Sequence, residues 1–256
     1  MRHLFFTCHA FDVIQNKSLA HLDFKIIPLV FTFHNRIHRT LISTSIKKLD
    51  QILGGGIRDG LITDIFGARG TGKTELVIQI AINSLLSDGK VFFQDTTGKF
   101  RPEIMHKVIQ ERQLDVSLLE NVQVARVTNT SEQIQYLSKI KDSNFALIVI
   151  DNITDLFSFE YSKDKLSLEK NISFMKYMHT LSLFSIQNNV PIVITNMIRT
   201  IDNKEIENLK NSIDMFTHIK IRLSKESNKF TGNVYSPFEK NKFYFVISET
   251  GLHDQS

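Results

Sequence analysis

GARGTGKT, residues 67 to 74, is the stretch that decides how this 256-residue chain folds. The segment before it, LITDIF (61–66), is apolar and β-prone. The segment after it, ELVIQIAINSLL, places on one helical face the residues Leu76, Val77, Ile80, Ala81 and Leu85. The octapeptide therefore connects a strand to a helix.

The spacing G-x-x-x-x-G-K-T in that context predicts a phosphate-binding loop. Gly67 and Gly72 carry no Cβ, so consecutive N–H groups can point inward around a β-phosphate. Lys73 supplies a charge for the β- and γ-phosphates, and the Thr74 hydroxyl can ligate Mg²⁺. A simple connecting turn would explain the glycines but not the Lys-Thr pair. The predicted phosphate-binding residues are Gly67, Ala68, Arg69, Gly70, Thr71, Gly72, Lys73, Thr74 and Glu75.

The composition is that of a globular protein, with 42% hydrophobic and 23% charged residues. A single cysteine, Cys8, excludes an internal disulfide framework and a thiolate metal cluster. No apolar run approaches the roughly 20 residues of a membrane span, and the N-terminus lacks the layout of a secretion signal. These features predict a cytoplasmic protein with no membrane partner, nucleoid-associated if archaeal or bacterial. A net charge of +4 is compatible with a nucleic-acid partner but does not establish one.

The chain divides into an extension, residues 1–44, and a regular core, residues 45–256. The extension is rich in Phe and His, and its apolar residues show neither the periodicity of a helix nor that of a strand. In the core, uniformly apolar runs at 62–66, 90–94, 145–150 and 190–195 alternate with helical patterns at 74–86, 102–112, 131–141 and 167–188. Such runs predict an α/β fold with a mostly parallel sheet covered by helices on both faces. After residue 216 apolar residues alternate with polar ones, and this period of two predicts antiparallel strands at the C-terminal end.

Two carboxylates, Asp151 and Glu103, are candidates for metal binding or catalysis at the phosphate loop. Asp151 ends the run FALIVID, at the carboxyl end of a buried strand, where open α/β sheets bind ligands. We interpret it as a metal-holding residue, the alternative being an aspartate that begins a turn. Glu103 follows Pro102, and this pair also makes a good helix start, so periodicity alone leaves the role of Glu103 open.

Several segments occur in one order that is much more specific than the phosphate loop alone. They are KKLDQILGGGI (47–57), GARGTGKT, QDTTGKFRPE (94–103), ALIVIDNITDLF (146–157), VPIVITN (190–196) and NVYSPFEKNKFYFVISETGLHD (233–254). Together they resemble the archaeal and eukaryotic branch of the RecA/RadA recombinase family. The resemblance implies a RecA-like P-loop ATPase core with ATP and Mg²⁺ as cofactors and Thr74 and Asp151 at the metal. It also implies that Glu103 orients the attacking water, so the expected catalytic residues are Glu103 and Lys73.

The chain also departs from that family. The extension does not resemble the helical DNA-binding domain that precedes the core in recombinases, and the Phe-x-x-Ala motif that joins subunits is not evident in it. Met197 occupies the place of a glutamine that senses the γ-phosphate, and a thioether cannot donate a hydrogen bond. That route of nucleotide sensing therefore lacks its hydrogen-bond donor.

Both DNA-binding loops expected from the family are altered. The first falls within residues 158–170 and the second between Ile198 and Phe216. In the second, helical spacing of Ile206, Leu209, Ile213 and Phe216 predicts a packed amphipathic segment. Candidate DNA contacts are Lys163, Lys165, Arg199, Lys204 and Lys210, each of which a solvated surface explains equally well.

These departures resemble the short accessory paralogues of the family, such as the archaeal RadB group. The resulting hypothesis is an ATP-binding, weakly hydrolysing accessory protein of DNA recombination and repair. Its partners would be DNA, with single strands favoured over double strands, and the hypothesis leaves open a RadA-type recombinase and a homo-oligomer. Two alternatives remain: a KaiC-like signalling ATPase that does not bind DNA, and a nucleotide-binding scaffold without useful turnover.

Overall fold

The computed structural model of the protein describes residues 41–140, 144–162, 167–201, 204–227, 229–235 and 240–255. Its α-helices are α1 (Lys47–Leu53), α2 (Lys73–Leu85), α3 (Pro102–Glu111), α4 (Thr130–Lys139), α5 (Asp155–Glu160), α6 (Ser167–Asn188) and α7 (Lys210–Asp214), with a 3₁₀ helix at Val116–Asn121. Its strands are β1 (Ile62–Gly67), β2 (Val91–Asp95), β3 (Val122–Arg126), β4 (Leu147–Asp151), β5 (Ile192–Ile201), β6 (Lys204–Glu207), β7 (Ile219–Glu226), β8 (Lys229–Tyr235), β9 (Lys240–Ser248) and β10 (Gly251–Asp254).

The strands form one sheet in the order β10-β9-β8-β7-β1-β5-β4-β2-β3, with β6 paired to β5. The six strands from β7 to β3 run parallel, whereas β8, β9 and β10 are antiparallel. The predicted α/β class is confirmed, including the antiparallel C-terminal strands. Because parallel strands share one carboxyl edge, Gly67, Asp95 and Asp151 end at the same edge of the sheet.

Burial explains which strands the sequence pattern revealed. Every residue of β1, β2 and β4 is buried, since two apolar clusters cover the two faces of the central sheet. Strand β3 was not predicted from the sequence, because it forms the edge of the sheet and only Ala125 in it is buried. An edge strand does not need the continuous apolar run that identifies a central one.

The predicted amphipathic segment between Ile198 and Phe216 is wrong as a single helical unit. Strand β5 runs on to Ile201 and pairs antiparallel with β6, with Ile198 opposite Glu207. Ile206 therefore lies on a strand and is 45% exposed. Among the described residues between Ile198 and Phe216, only the five of α7 are helical, and Ile213 within them is fully buried. Cross-strand hydrogen bonding between β5 and β6 outweighed the helical spacing of the apolar residues.

The phosphate-loop helix α2 is anchored by the side chain of Gln79, which is 1% exposed. Its Nε2 donates to the carbonyl oxygens of Thr44 at 2.5 Å and Leu252 at 3.0 Å. Its Oε1 accepts from Arg112 Nη2 and from the Leu252 amide, both at 2.8 Å. One amide group thus connects α2 to the residues before α1, to the end of α3 and to β10.

We expect Gln79→Leu to lower the free energy of unfolding by about 3 kcal/mol, because leucine leaves several buried polar partners unsatisfied while filling a similar volume. Urea denaturation followed by circular dichroism measures the change. The matched control is Gln187→Leu, at an exposed position of α6, which should change stability by no more than about 0.5 kcal/mol. A loss below about 1 kcal/mol at Gln79 would contradict the anchoring role.

Residues 41–44 belong to the predicted extension, yet in the structure they pack against the core. Ile42 is buried and forms an isolated bridge with Ile57, and buried Thr44 donates to Asp50. The boundary at residue 45 otherwise stays a prediction, since residues 1–40 lie outside the described residues. The candidate DNA contacts Lys163 and Lys165 also lie outside them.

None of the described helices combines the length and the hydropathy that crossing a bilayer requires.

Candidate nucleotide-binding site

The phosphate loop joins β1 to α2 in a geometry that requires its glycines. Gly72, at the start of α2, has φ +91°, in the left-handed region that favours glycine. A Cβ on Gly67 would lie 2.2 Å from the carbonyl oxygen of Leu223 on β7, so no side chain fits there. The loop therefore lies directly against the sheet, and the first N–H groups of α2 have no intrahelical partner.

Lys73 is held within this loop and is 8% exposed. Its ammonium donates to the carbonyl oxygens of Gly67 at 3.0 Å and Ala68 at 2.7 Å. Burial lowers the pKa of Lys73, and the carboxylates of Asp151, Glu75 and Asp155 partly offset this. Thr71 also donates to Ala68 at 2.9 Å, while Arg69, Gly70 and Glu75 are exposed around the loop. A buried ammonium bonded to two neutral carbonyls is positioned to bind an anion.

The two predicted metal residues lie in direct contact. Thr74 Oγ1 donates to Asp151 Oδ2 at 2.9 Å, although 77 residues separate the two positions in the chain. Asp151 Oδ1 accepts from Thr195 Oγ1 on β5, a residue the sequence reasoning did not identify. Burial raises the pKa of Asp151, and the hydrogen bonds from Thr195 and Thr74 lower it in part. A hydroxyl beside a carboxylate is a donor set that suits Mg²⁺.

Asp95, the carboxylate at the end of β2, has a structural role. Asp95 lies opposite Asp151 in the sheet, but Oδ1 accepts from the amides of Thr97 at 3.0 Å and Gly98 at 2.9 Å, and Oδ2 accepts from the Phe100 amide at 3.0 Å. Both oxygens are therefore used to shape the turn that follows β2. The sequence DTTG (95–98) is the signal for this turn, because an aspartate side chain commonly accepts a hydrogen bond from the backbone amide two residues on.

Glu103 makes no direct bond to this cluster. It is exposed in the first turn of α3 and makes no hydrogen bond or ion pair to Lys73, Thr74 or Asp151 within the described residues. It lines a cavity of about 340 Å³ together with Glu75, Ile78, Ile104 and Val108, among other residues. The structure therefore brings Lys73, Thr74 and Asp151 together without a direct bond to Glu103, whose expected role in orienting water stays a prediction.

Strand β5 runs beside the phosphate loop, with Met197 paired to Gly67. Its neighbour Asn196 is fully buried and accepts from Thr154 Oγ1 and from the Met197 amide, both at 2.8 Å. The Asn196 amide group donates to Glu207 Oε1 at 3.2 Å and to the carbonyl oxygen of Asn208 at 2.9 Å. Asn196 thus connects the metal-site edge of the sheet to the β5–β6 hairpin.

An open cleft of about 470 Å³ lies at the same edge of the sheet. Its lining comes from the turn after β2, from α5 and from the β5–β6 hairpin: Thr96, Thr97, Lys99, Asp155, Leu156, Ser158, Phe159, Ser162 and Arg199. Phe159 is 79% exposed. Burial raises the pKa of Asp155, and the cations that offset part of this rise are Lys99, Arg199, Lys73 and Arg69.

The cations expected in the second DNA loop differ in how far they are neutralised. Lys210 pairs with Asp214, and Arg222 on β7 pairs with Glu205. Arg199 and Lys204 are exposed, and neither forms an ion pair within the part of the chain that the structure describes.

A larger cavity of about 820 Å³ lies between the hairpin and β7, but the phosphate loop does not contribute to its lining.

Comparison with known proteins gives consistent matches. The sequence model of the Rad51 family matches residues 35–214. The DNA repair and recombination protein RadB of Pyrococcus furiosus is 28% identical over 231 residues, which cover 85% of this chain and 97% of the relative. RadB of Thermococcus onnurineus is 30% identical, over 84% of this chain and 97% of the relative. The DNA repair protein RAD51 homolog B of Zea mays is 30% identical, over 73% and 62%.

Proposed function

Because this chain belongs to the Rad51 family, we propose that it is an ATP-binding, weakly hydrolysing accessory protein of DNA recombination and repair, similar to RadB. The observation that carries the proposal is the contact between Thr74 and Asp151 beside the buried ammonium of Lys73. Members of this family are ATPases in general, and a phosphate loop, a lysine and a metal carboxylate are the parts that nucleotide binding needs. The matched relatives lend no support to a KaiC-like signalling ATPase.

The phosphate end of the nucleotide would lie against the loop and the first turn of α2. Thr74 and Asp151 would hold Mg²⁺, which when bound neutralises charge on the β- and γ-phosphates. Lys73 would exchange its bonds to the Gly67 and Ala68 carbonyls for bonds to phosphate oxygens. The loop thus offers ATP a charged, partly buried site without a change in its backbone.

The nucleoside end fits the cavity of about 340 Å³ beside α2. Its walls include the apolar side chains of Ile78, Ile104 and Val108, which suit the face of a nucleobase. Glu75, one residue past Thr74, lies at this cavity together with Glu103. We propose that Glu103, at the edge of this cavity, orients the attacking water, as the family resemblance implies.

Weak turnover follows from the residue at position 197. Met197 lies next to the phosphate loop, where the family resemblance places a glutamine, and its thioether has no N–H to direct at a γ-phosphate. Asn196 is committed to structural hydrogen bonds with Thr154 and Asn208. The site therefore favours binding over rapid hydrolysis, which suits an accessory protein more than a main recombinase.

DNA would bind along the cleft beside the β5–β6 hairpin. Lys99 and Arg199 of the cleft and Lys204 on β6 supply positive charge, and none of the three forms an ion pair with a described carboxylate; exposed Phe159 offers a ring on which a base can stack. Stacking requires an unpaired base, so single-stranded DNA is the preferred form. A RadA-type recombinase and a second copy of this chain are further partners that the similarity to RadB suggests.

DNA affinity should fall steeply with salt, because contacts to phosphate release counterions. We expect the double variant Arg199→Ala/Lys204→Ala to weaken binding of a labelled dT oligonucleotide by about tenfold at low salt, and to reduce the slope of log K against log[salt] by about 1.4. Fluorescence anisotropy with and without ATP and Mg²⁺ measures both values. Lys90→Ala, at the amino end of β2, is the control and should bind normally.

Absence of any binding to single- or double-stranded DNA at low salt would reject the recombination role and favour a protein-directed ATPase. An unchanged salt slope in the double variant would move the DNA site away from the hairpin.

A further inference from the structure

Helix α6 carries large side chains on two opposite faces. One face packs into the core through residues that are at most 1% exposed: Phe174, Tyr177, Met178 and Leu181. On the opposite face, residues at intervals of three or four form what we call the α6 stripe: Leu168, Ile172, Met175, His179, Leu183 and Ile186. At 3.6 residues per turn, these six positions lie within about 80° of one another around the helix. They therefore form one continuous line along α6.

The α6 stripe is exposed near both ends of the helix. Leu168 at its start is 70% exposed, and Ile186 at its end is 48% exposed. Ile172, one turn after Leu168, is 46% exposed. A helix that is apolar on all sides is typical of a position covered on all sides. The core covers one face of α6, and the stripe is left open to a partner.

Charged side chains are scarce along this part of α6. Lys176 is the only Asp, Glu, Lys or Arg between Asn171 and Asn188. It lies at the edge of the stripe, where its long aliphatic stem lets the ammonium reach water. Depletion of charged residues distinguishes the core of a protein interface from the rest of a surface. A nucleic acid would need several cations instead, so the stripe suits a protein partner.

The stripe has the dimensions of an interaction site. From Leu168 to Ile186 it extends about 27 Å at 1.5 Å per residue, and a helix side about 10 Å wide gives it an area of about 270 Å². The ring of His179 lies 6.2 Å from that of Phe216, so the end of α7 borders the middle of the stripe. Met215 at that end is 63% exposed. Apolar patches of about 300 Å² or more are often functional.

The order of residues in the stripe is nearly the same in both directions. Leu168 and Ile186 lie nine residues on either side of Tyr177, and Met175 and His179 lie two residues on either side of it. A two-fold axis at Tyr177 would therefore place Leu168 of one copy against Ile186 of the other, and Met175 against His179. An interface between identical subunits about a two-fold axis requires such a self-complementary surface.

We propose that the α6 stripe is a self-association surface, on which a second copy of this chain docks its own α6 in the antiparallel direction. Two stripes bury about 540 Å² in total, less than the roughly 1,200 Å² of a standard stable interface. The dimer should therefore be weak, with a dissociation constant on the order of 10 µM. The stripe shares no residue with the phosphate loop, so this inference does not depend on nucleotide or DNA binding.

Sedimentation velocity of the full chain, from about 1 to 200 µM and without nucleotide or DNA, measures the association. We expect the double variant Ile172→Glu/Leu183→Glu to weaken it at least about tenfold, because the interface would then bury four carboxylates without partners. The matched control is Thr180→Glu, an exposed position of α6 outside the stripe, which should associate like the unmodified protein. Thermal unfolding verifies that all variants are folded.

Disulfide trapping tests the antiparallel direction. In a Cys8→Ser background, Leu168→Cys and Ile186→Cys are oxidised separately and as a mixture. The mixture should form a disulfide between the two variants, whereas each variant alone should form little, because its two cysteines would lie about 27 Å apart. Efficient trapping of Leu168→Cys with itself would contradict the antiparallel arrangement.

A protein that stays monomeric at about 200 µM overturns the inference. Slow maleimide labelling of Leu168→Cys would then assign the cover of the stripe to another segment of this chain, and rapid labelling would assign it to a different protein. Dimerisation that the two glutamates leave unchanged overturns it as well, since the contact would then lie elsewhere on the surface.

Discussion

The Lys73→Ala variant is expected to lose affinity for ATP by at least about 100-fold, equivalent to about 3 kcal/mol. Lys73 is 8% exposed, and its ammonium already bonds the carbonyl oxygens of Gly67 and Ala68. An ammonium in such a position makes charge-assisted hydrogen bonds to phosphate, and these are roughly twice as strong as neutral ones. Alanine removes both the charge and the donors, so the backbone amides would face the triphosphate alone.

Isothermal titration calorimetry with ATP and Mg²⁺ measures this loss. Lys90→Ala removes a lysine from the amino end of β2, at the opposite edge of the sheet, and should bind ATP normally. Thermal unfolding of both variants verifies that they are folded. Undiminished ATP affinity in Lys73→Ala would refute the assignment of residues 67–74 as a phosphate loop.

The second large effect is expected at Asp151, where Asp151→Asn should reduce ATP hydrolysis about 1,000-fold and abolish the dependence of ATP binding on Mg²⁺. Asparagine keeps the shape and can still bond Thr74 and Thr195, so the strand edge should fold normally. What is lost is the negative charge that a divalent cation requires. In a site of low dielectric that loss is worth several kcal/mol in the transition state.

The direction in which Mg²⁺ affinity changes with pH can also be predicted. Burial raises the pKa of Asp151, so the group is protonated over a wider range of acid pH than an exposed aspartate. Mg²⁺ affinity of the unmodified protein should therefore decrease as the pH falls through that pKa, whereas the variant should show a flat profile.

Titration of Mg²⁺ at fixed ATP, with single-turnover hydrolysis beside it, tests these expectations. Asp88→Asn is the matched control, since Asp88 is exposed past the far end of α2 and has φ +56°, a conformation that asparagine tolerates. An unaltered Mg²⁺ response in Asp151→Asn would return Asp151 to the role of a turn residue.

Much of the nucleotide site could be predicted from short sequence patterns, because its parts are local. The phosphate loop needs glycines at fixed spacing between a strand and a helix, and β1 and α2 begin and end within one or two residues of the predicted bounds. Asp151 was predicted from a buried strand that ends in a carboxylate. The sheet brings it to Thr74 because the carboxyl ends of parallel strands share an edge.

Residues whose role depends on distant neighbours could not be found in this way. Thr195 looks like any residue of an apolar strand until β5 places it beside Asp151. Asp155 reads as an ordinary acidic helix start, and Glu103 reads in the same way, so helix-start preferences cannot separate them. Only the positions of α3 and α5 relative to the phosphate loop show that they line different cavities.

The sequence by itself determined the α/β class and predicted the phosphate-loop residues, since both depend on periodicity or spacing within short segments, and the order of several such segments indicated the family. The tertiary structure alone decided that residues 198–201 pair antiparallel with residues 204–207 and that Thr195 lies beside Asp151. The physical reason is that side-chain identity specifies local backbone preference, whereas hydrogen-bond partners, burial and the sign of the surrounding charge come from segments far apart in the chain.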